Sequence, residues 1–313
     1  MTIGAVDIGG TKIAVGMVDE GGNVLSKAEF PSDGGDYGGC VDLIGRELRE
    51  TARAAAVEIS GIGIGSTGPV NPFTGEFGAV DFLPGWHGRN IVEDLERLFH
   101  VQAAMENDAD AAVLGEAAWG IGKNKPKLIY VTIGTGIGGG MVLDGHLYRG
   151  VDGAHPEFGH HVIDPSGPVC SCGFRGCWES LATGPAMVAW VETQIPLNHP
   201  RRQDLTGRRI CELAQQGEDW ACAAVEREAH YLGLGIANLI SLFTPDAIVL
   251  GGSVMKSASL FLDRIRQVIA SGCKFVPYEK TELLLASLGE DANLIGAARV
   301  WHFRFGQGTK ISV

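Results

Sequence analysis

The N-terminal stretch IGAVDIGGTKIAVGMVDEGGNVLSKAEF alternates apolar and polar positions and is cut by two Gly-rich turns, at residues 9–11 and 20–22. Period-two alternation broken by Gly predicts three short strands in a β-meander. The chain then predicts a helix over 42–56, a strand over 59–65, a helix over 91–100, a strand over 101–105 and an Ala-rich helix over 109–119. At about 125 residues' distance the opening pattern returns, which is the mark of an internal repeat. LIYVTIGTGIGGGMVLDGHLYRG again reads strand, Gly turn, strand, turn, strand. Two Gly-rich hairpins unrelated to each other would look similar. The duplication is favoured because each hairpin follows an apolar strand and precedes a third strand. The second half predicts helices over 180–193, 220–243, 260–270 and 293–302, with strands over 246–250 and 282–285; Pro245 ends the long helix.

Length and charge narrow the function. The chain has 313 residues, enough for two lobes. Lys and Arg number 25 against 37 Asp and Glu, a net charge of −12. Such a surface excludes nucleic acid and anionic membrane as main partners. The longest apolar run, YLGLGIANLISLF, has 13 residues, whereas a membrane span needs about 20. MTIGAVDIGG lacks the basic start and apolar core of a signal peptide, so a cytoplasmic location is expected. Seven cysteines, an odd number, argue against a disulfide framework. Cys170, Cys172 and Cys177 cluster; Cys40, Cys211, Cys222 and Cys273 are scattered and read as small core residues.

Four places carry candidate chemistry. Asp7-Ile8-Gly9-Gly10-Thr11-Lys12 puts a carboxylate at a strand end, followed by a turn whose backbone N–H groups can approach phosphate oxygens. Asp7 can hold magnesium through water. The turn Gly134-Thr135-Gly136 offers a second cradle. Taken alone, such turns are more often ordinary hairpins. Gly134, Gly136 and Gly139 match G-x-G-x-x-G, but a strand rather than a helix is predicted after them, so a dinucleotide fold is rejected. No P-loop string is present either. Asn107 and Asp108 lie between a strand and a helix, where α/β enzymes place sites; Asp108 can accept a hydroxyl proton, or either residue can simply cap the helix. Finally, His160 precedes Cys170, Cys172 and Cys177, a Cys₃His set suited to structural Zn²⁺, with His161 as a competing ligand. Glu157 and Glu179 flank this set and suit hydrogen bonding to a polyol.

DIGGTK, ENDADAA, TIGTGIGGG, PEFGH, CSCGFRGCWES and AIVLGGSV occur in the order found in the ROK family of repressors and sugar kinases, and the chain resembles that family from Gly4 to about Ala297. The resemblance implies an α/β actin-like ATPase (hexokinase-type) fold, two related lobes with ATP in a central cleft. The expected division is 1–108 plus 292–313 for a small lobe and 109–291 for a large lobe with a zinc-binding loop. Residue by residue, the resemblance implies ATP contacts from Asp7, Gly9, Gly10, Thr11 and Lys12, from Thr132, Gly134, Thr135 and Gly136, and from Gly251 and Gly252. It implies sugar contacts from Asn107, Asp108, Glu157, His160 and Glu179, with Asp108 as catalytic base. It implies zinc ligands His160, Cys170, Cys172 and Cys177.

The expected activity is an ATP- and Mg²⁺-dependent hexose kinase acting on glucose O6. Fructose, mannose, N-acetylglucosamine and N-acetylmannosamine are the alternatives, since His155-Pro156 departs from the family's glucokinases toward its fructokinases; polyphosphate is an alternative donor. A sugar-sensing ROK regulator without catalysis is the rival class. It would carry a DNA-binding module ahead of the sugar domain, for which the expected start at Asp7 leaves no room. The expected partners are sugar and ATP, with no nucleic acid and no membrane, in a homodimer or homotetramer.

Overall fold

The computed structural model describes residues 1–306; the part of the expected small lobe at 307–313 lies outside the described residues. Two five-stranded sheets organise the chain. The first contains β1 (Ile3–Ile8), β2 (Lys12–Val18), β3 (Val24–Pro31), β4 (Gly61–Ser66) and β5 (Ala103–Asn107), in the order β3-β2-β1-β4-β5. The second contains β6 (Lys127–Ile133), β7 (Ile137–Leu143), β8 (His146–Leu147), β9 (Ala247–Gly251) and β10 (Glu282–Leu285), in the order β10-β9-β6-β7-β8. Read from the hairpin side, the second order repeats the first strand for strand. The predicted duplication is therefore present in the topology, and the strand at β7 upholds the rejection of a dinucleotide turn.

The chain divides into two compact units. Among the described residues, one comprises Met1–Ile129, Gly140–Pro156 and 286–306; the other comprises Tyr130–Gly139 and Glu157–Leu285. In the first unit, β1 and β2 run antiparallel, while β1, β4 and β5 run parallel. Alternate residues feed opposite faces. Val6, Ile8, Ile13 and Val15 pack with Ile44 and Leu48 of α1 (Tyr37–Ala55) and Leu95 of α2 (Ile91–Phe99), whereas Ile3, Ala5, Ala14 and Val18 pack with Leu294, Ala297, Ala298 and Trp301 of α9 (Ala292–Phe305). The helix α1 starts before the expected residue 42, because Asp36 accepts a hydrogen bond from Gly39 N and caps it five residues earlier.

The expected boundary at residue 108 separates α3 (Asp108–Ala118) from the N-terminal unit, but compactness groups it there. A Cβ on Gly115 would lie 3.1 Å from Gly296 Cα, so α3 and α9 cross nearly backbone to backbone. Every residue from Ala109 to Ala117 is buried. The segment Gly140–Pro156 joins the same unit, where Gly140 lies against Ala109 and Asp110 of α3.

In the second unit the predicted single helix over 180–193 is two: α4 (Trp178–Leu181) and α5 (Gly184–Gln194). Thr183 breaks the run by capping α5, its hydroxyl accepting from Ala186 N. The long α7 (Asp219–Phe243) ends where Thr244 turns left-handed, just before Pro245. One helix, α6 (Gly207–Gln215), was not predicted; α8 (Leu262–Gly272) was. Cys40, Cys211 and Cys273 are buried as expected, whereas Cys222 is exposed on α7. Among the described residues no helix is long and apolar enough to cross a membrane.

The C-terminal end of α3 is fixed by Glu116, which is fully buried. Its carboxylate accepts from Ser287 N at 2.8 Å, Leu288 N at 3.2 Å, Ser287 Oγ at 3.1 Å and Ile121 N at 3.0 Å. Charge-assisted bonds of this kind are the strong ones. Glu116→Ala leaves the backbone N–H groups of Ser287 and Leu288 without their acceptor, while Ile121 N keeps Ser287 Oγ at 2.8 Å, and a loss of about 3 kcal/mol in unfolding free energy is expected. Chemical denaturation showing a loss below about 1 kcal/mol would mean that water replaces the carboxylate at no net cost.

Candidate active site

The first unit gathers its candidate residues at one end of the parallel strands. Asp7 on β1 is in register with Gly65 on β4, which is in register with Glu106 on β5. Asn107 and Asp108 follow Glu106 directly, so they emerge at the same carboxyl edge as Asp7, the edge where open α/β sheets bind ligands. Burial, reinforced by the Asp108 carboxylate, pushes Asp7 up to about 7, against a hydrogen bond from Asn293. Two half-buried carboxylates that repel each other leave negative charge that a cation would relieve.

Asn107 does cap α3. Its side chain accepts from Ala109 N at 2.9 Å, and Asp108 Oδ1 accepts from the same N–H at 2.8 Å. The capping role and a chemical role therefore coexist, since one carboxylate oxygen at a helix start still leaves acceptor capacity on the other. Glu106 lies behind this edge, paired with Arg149; burial pushes it up to about 7 despite that partner. Asp110 in the first turn of α3 meets His155 Nδ1 at 3.2 Å. The first Gly turn closes through Gly9 N donating to Lys12 O at 2.9 Å. Thr11 is exposed, and Lys12 Nζ sits 2.9 Å from Glu29 on β3.

The second unit holds the remainder. Gly134, Thr135 and Gly136 turn between β6 and β7, with Gly134 N donating to Gly136 O at 2.9 Å and Gly184 N donating to Gly134 O at 3.0 Å. Thr132 lies within β6. Gly134 and Thr135 border a cavity of about 1050 Å³. Its walls include Met187 and Val188 of α5, Cys211 of α6, and Val254; charged Arg208, Glu212 and Lys256 also line it. A space of this size with apolar walls and a few polar groups suits a nucleoside-sized ligand. Gly251 and Gly252 do not line it themselves. Gly252, at φ 89°, packs on the backbone of Ile133 and Gly251 on Tyr130, which delivers Ser253 and Val254 to the cavity. The α6 wall was missed by sequence reasoning. Its signal was Thr206-Gly207: Thr206 Oγ1 accepts from Arg209 N at 3.1 Å, a local N-cap.

Glu157 is exposed and leads a short turn over Phe158–His160 in which Phe158 and Gly159 are buried. His160, Cys170, Cys172 and Cys177 converge, their ligand atoms all within 4.8 Å of one another. Cys170 Sγ is 3.4 Å from His160 Nδ1, and Cys172 Sγ is 3.5 Å from Cys177 Sγ. A tetrahedral zinc ion requires edges of roughly 3.8 Å between sulfurs and roughly 3.5 Å from sulfur to nitrogen, so the donor set fits. His161, the competing ligand, points elsewhere. Its Nδ1 is 2.6 Å from Phe158 O and its ring meets Trp178 edge-on.

Glu179 opens α4 two residues after Cys177. Its Oε2 accepts from Ile137 N at 3.0 Å, directly beside Gly136. A residue expected to face sugar thus also holds the second Gly turn.

The ROK family model matches residues 3–304. The chain belongs to the ROK family. It is 37% identical over 314 residues to the glucokinase of Streptomyces coelicolor, covering 95% of this chain and 96% of that protein. A crystal structure of a ROK family glucokinase from Streptomyces griseus, in complex with glucose and AMPPNP, superposes with a TM-score of 0.80 at 32% identity, covering 95% and 98% of the two chains. The xylose repressor of Bacillus subtilis is 34% identical over 223 residues, which is 71% of this chain but only 56% of the repressor. With this membership the expected actin-like ATPase fold is borne out.

Glu179→Ala removes the acceptor of Ile137 N–H. Loss of a bond to a charged acceptor, roughly 1.5–3 kcal/mol, should speed exchange of the Ile137 amide about tenfold or more. Hydrogen exchange read residue by residue checks this, and an unchanged rate would show that Glu179 does not restrain the turn.

Proposed function

We propose that this ROK protein is an ATP-dependent hexose kinase that transfers the γ-phosphoryl group to a sugar hydroxyl, with glucose O6 as the preferred acceptor. The observation that carries the reading is Asp108 at the carboxyl edge of the sheet, beside Asp7. A proton acceptor next to a cation-ready carboxylate is what phosphoryl transfer to an alcohol needs, and a passive sugar sensor has no use for it. The Streptomyces glucokinases support the same reading, at 32% and 37% identity over nearly the whole chain.

In this mechanism the sugar hydroxyl oxygen attacks the γ-phosphorus, its proton passes to Asp108, and the bond to the ADP oxygen breaks. Asn107, Glu157, His160 and Glu179 bind the ring hydroxyls. The N–H groups of the two Gly turns, at residues 9–11 and 134–136, receive phosphate oxygens, and the cavity bordered by Gly134 and Thr135 takes the nucleoside. Magnesium, held through water at Asp7, would supply charge neutralisation for the phosphates. Zinc, held by His160, Cys170, Cys172 and Cys177, would supply rigidity to the loop that carries Glu157 and Glu179.

An assay of ADP release over a panel of sugars tests the function. Glucose should give the highest specificity constant. Asp108→Asn should lower turnover about 100-fold or more while leaving sugar affinity within a few-fold. A higher specificity constant for fructose than for any aldohexose would overturn the glucose assignment and direct attention to His155. Near-normal turnover in the variant would reduce Asp108 to a helix cap, and no turnover with any sugar would favour the non-catalytic regulator.

Metal analysis tests the zinc. About one equivalent per chain is expected, and Cys172→Ala should release it and depress sugar phosphorylation. Fully active wild-type protein free of zinc would end this assignment.

A further inference from the structure

Between β4 and α2, the segment 67–90 folds over the first Gly turn. It is anchored by four buried apolar residues, Phe77, Val80, Leu83 and Trp86, the last two without exposed surface. Trp86 is wedged edge-on between Tyr37 and Phe77, each with its ring centroid 5.1 Å away, and its Nε1 donates to Asp33 O at 3.0 Å. Gly85 N donates to Gly34 O at 2.8 Å. A segment tied down this firmly has apolar positions to spare inside, yet it holds Phe82, between two of the anchors, 50% exposed.

The ring is not loose on the surface. A Cβ placed on Gly10 would lie 2.7 Å from Phe82 Cδ2, and the three atoms nearest to it all belong to that ring. Gly10 does not have a positive φ, so backbone conformation does not explain its lack of a side chain. What explains it is the aromatic ring seated on it. One side of the Phe82 ring, at Cγ, Cδ2 and Cε2, therefore lies against the turn that follows Asp7, while the residue keeps half of its surface exposed.

We propose that Phe82 is a positioning residue for phosphoryl transfer: its ring covers the first Gly turn and keeps water away from the phosphoryl group received there, so that the sugar hydroxyl rather than water is the acceptor. The proposal rests on the kinase reading above. An apolar cover at such a turn acts by exclusion. When water enters instead, its oxygen bonds to the γ-phosphorus, the bond to ADP breaks, and inorganic phosphate forms with no sugar phosphate.

The test measures ADP and sugar phosphate in the same reaction, with glucose and ATP and the full chain. The wild type should give the two products in a ratio near one. Phe82→Ala should raise the ratio of ADP to sugar phosphate about threefold or more and raise sugar-free ATP hydrolysis, and Phe82→Tyr should restore the wild-type ratio. Gly10→Ala, which displaces the ring without removing it, should also raise the ratio, and it guards against a fold defect specific to Phe82→Ala. A ratio that stays near one in both Phe82→Ala and Gly10→Ala, whatever happens to turnover or melting temperature, overturns the proposal and leaves the kinase reading intact. Wild-type protein that forms no sugar phosphate overturns both.

Discussion

The buried helix α3 is the part on which the first unit depends. It is buried on every side between Ala109 and Ala117, with Asp110 and Glu116 as its charged members, and it crosses α9 through the glycine pair Gly115 and Gly296. A helix in so tight a place cannot tilt or slide without a clash, because packed interiors are close to crystal density. Both of its ends are held by polar groups. Asn107 caps the start and Glu116 fixes the finish against Ser287 and Leu288. The position of Asp108 is thus set by packing over the whole helix length, and the candidate base needs no flexible loop to reach its place.

The same edge is costly. Asp7 and Glu106 are both pushed up to about 7, mainly by burial. A buried acid of this kind is bound more tightly to its proton in the folded chain than in the unfolded one. Its contribution to stability is full below the ordinary carboxylate range and is lost as pH rises through about 7. At neutral pH the folded chain therefore carries part of the penalty of burying charge. Candidate active sites concentrate such perturbed groups because the chemistry needs them, and a cation next to Asp7 is the natural way to relieve them.

The second unit solves a different problem. The stretch from Glu157 to Glu179 has little regular structure beyond a short turn and a one-turn helix, so its hydrogen bonds and packing must come from elsewhere. Asp164 accepts from Tyr231 on α7, Arg227 donates to Leu181 O at 3.0 Å, and the four convergent ligand groups draw the middle of the loop together. Glu179 then reaches the second Gly turn through Ile137 N. Loop, ligand cluster and turn are thus joined through contacts within this unit.

Much of this was readable in the linear chain. Strands and helices followed from periodicity, the duplication followed from two Gly-turned hairpins, and the Cys₃His set followed from close spacing. The order of the motifs placed the chain in its family. These signals are local: each is written within a few residues, where period, cap and turn chemistry act directly. The remainder was decided by contacts between residues far apart in sequence. Glu116 meets Ser287 across 171 positions and Glu179 meets Ile137 across 42. Phe82 lands on Gly10, and α6 forms a wall of the cavity. None of these pairs has a pattern of its own, because a lone Phe, Glu or Gly is equally at home in many settings. Which one it meets is selected only when two apolar faces close on each other, and at that point the glycine-to-glycine crossing of α3 and α9, rather than any motif, determines on which side of the boundary at residue 108 the helix packs.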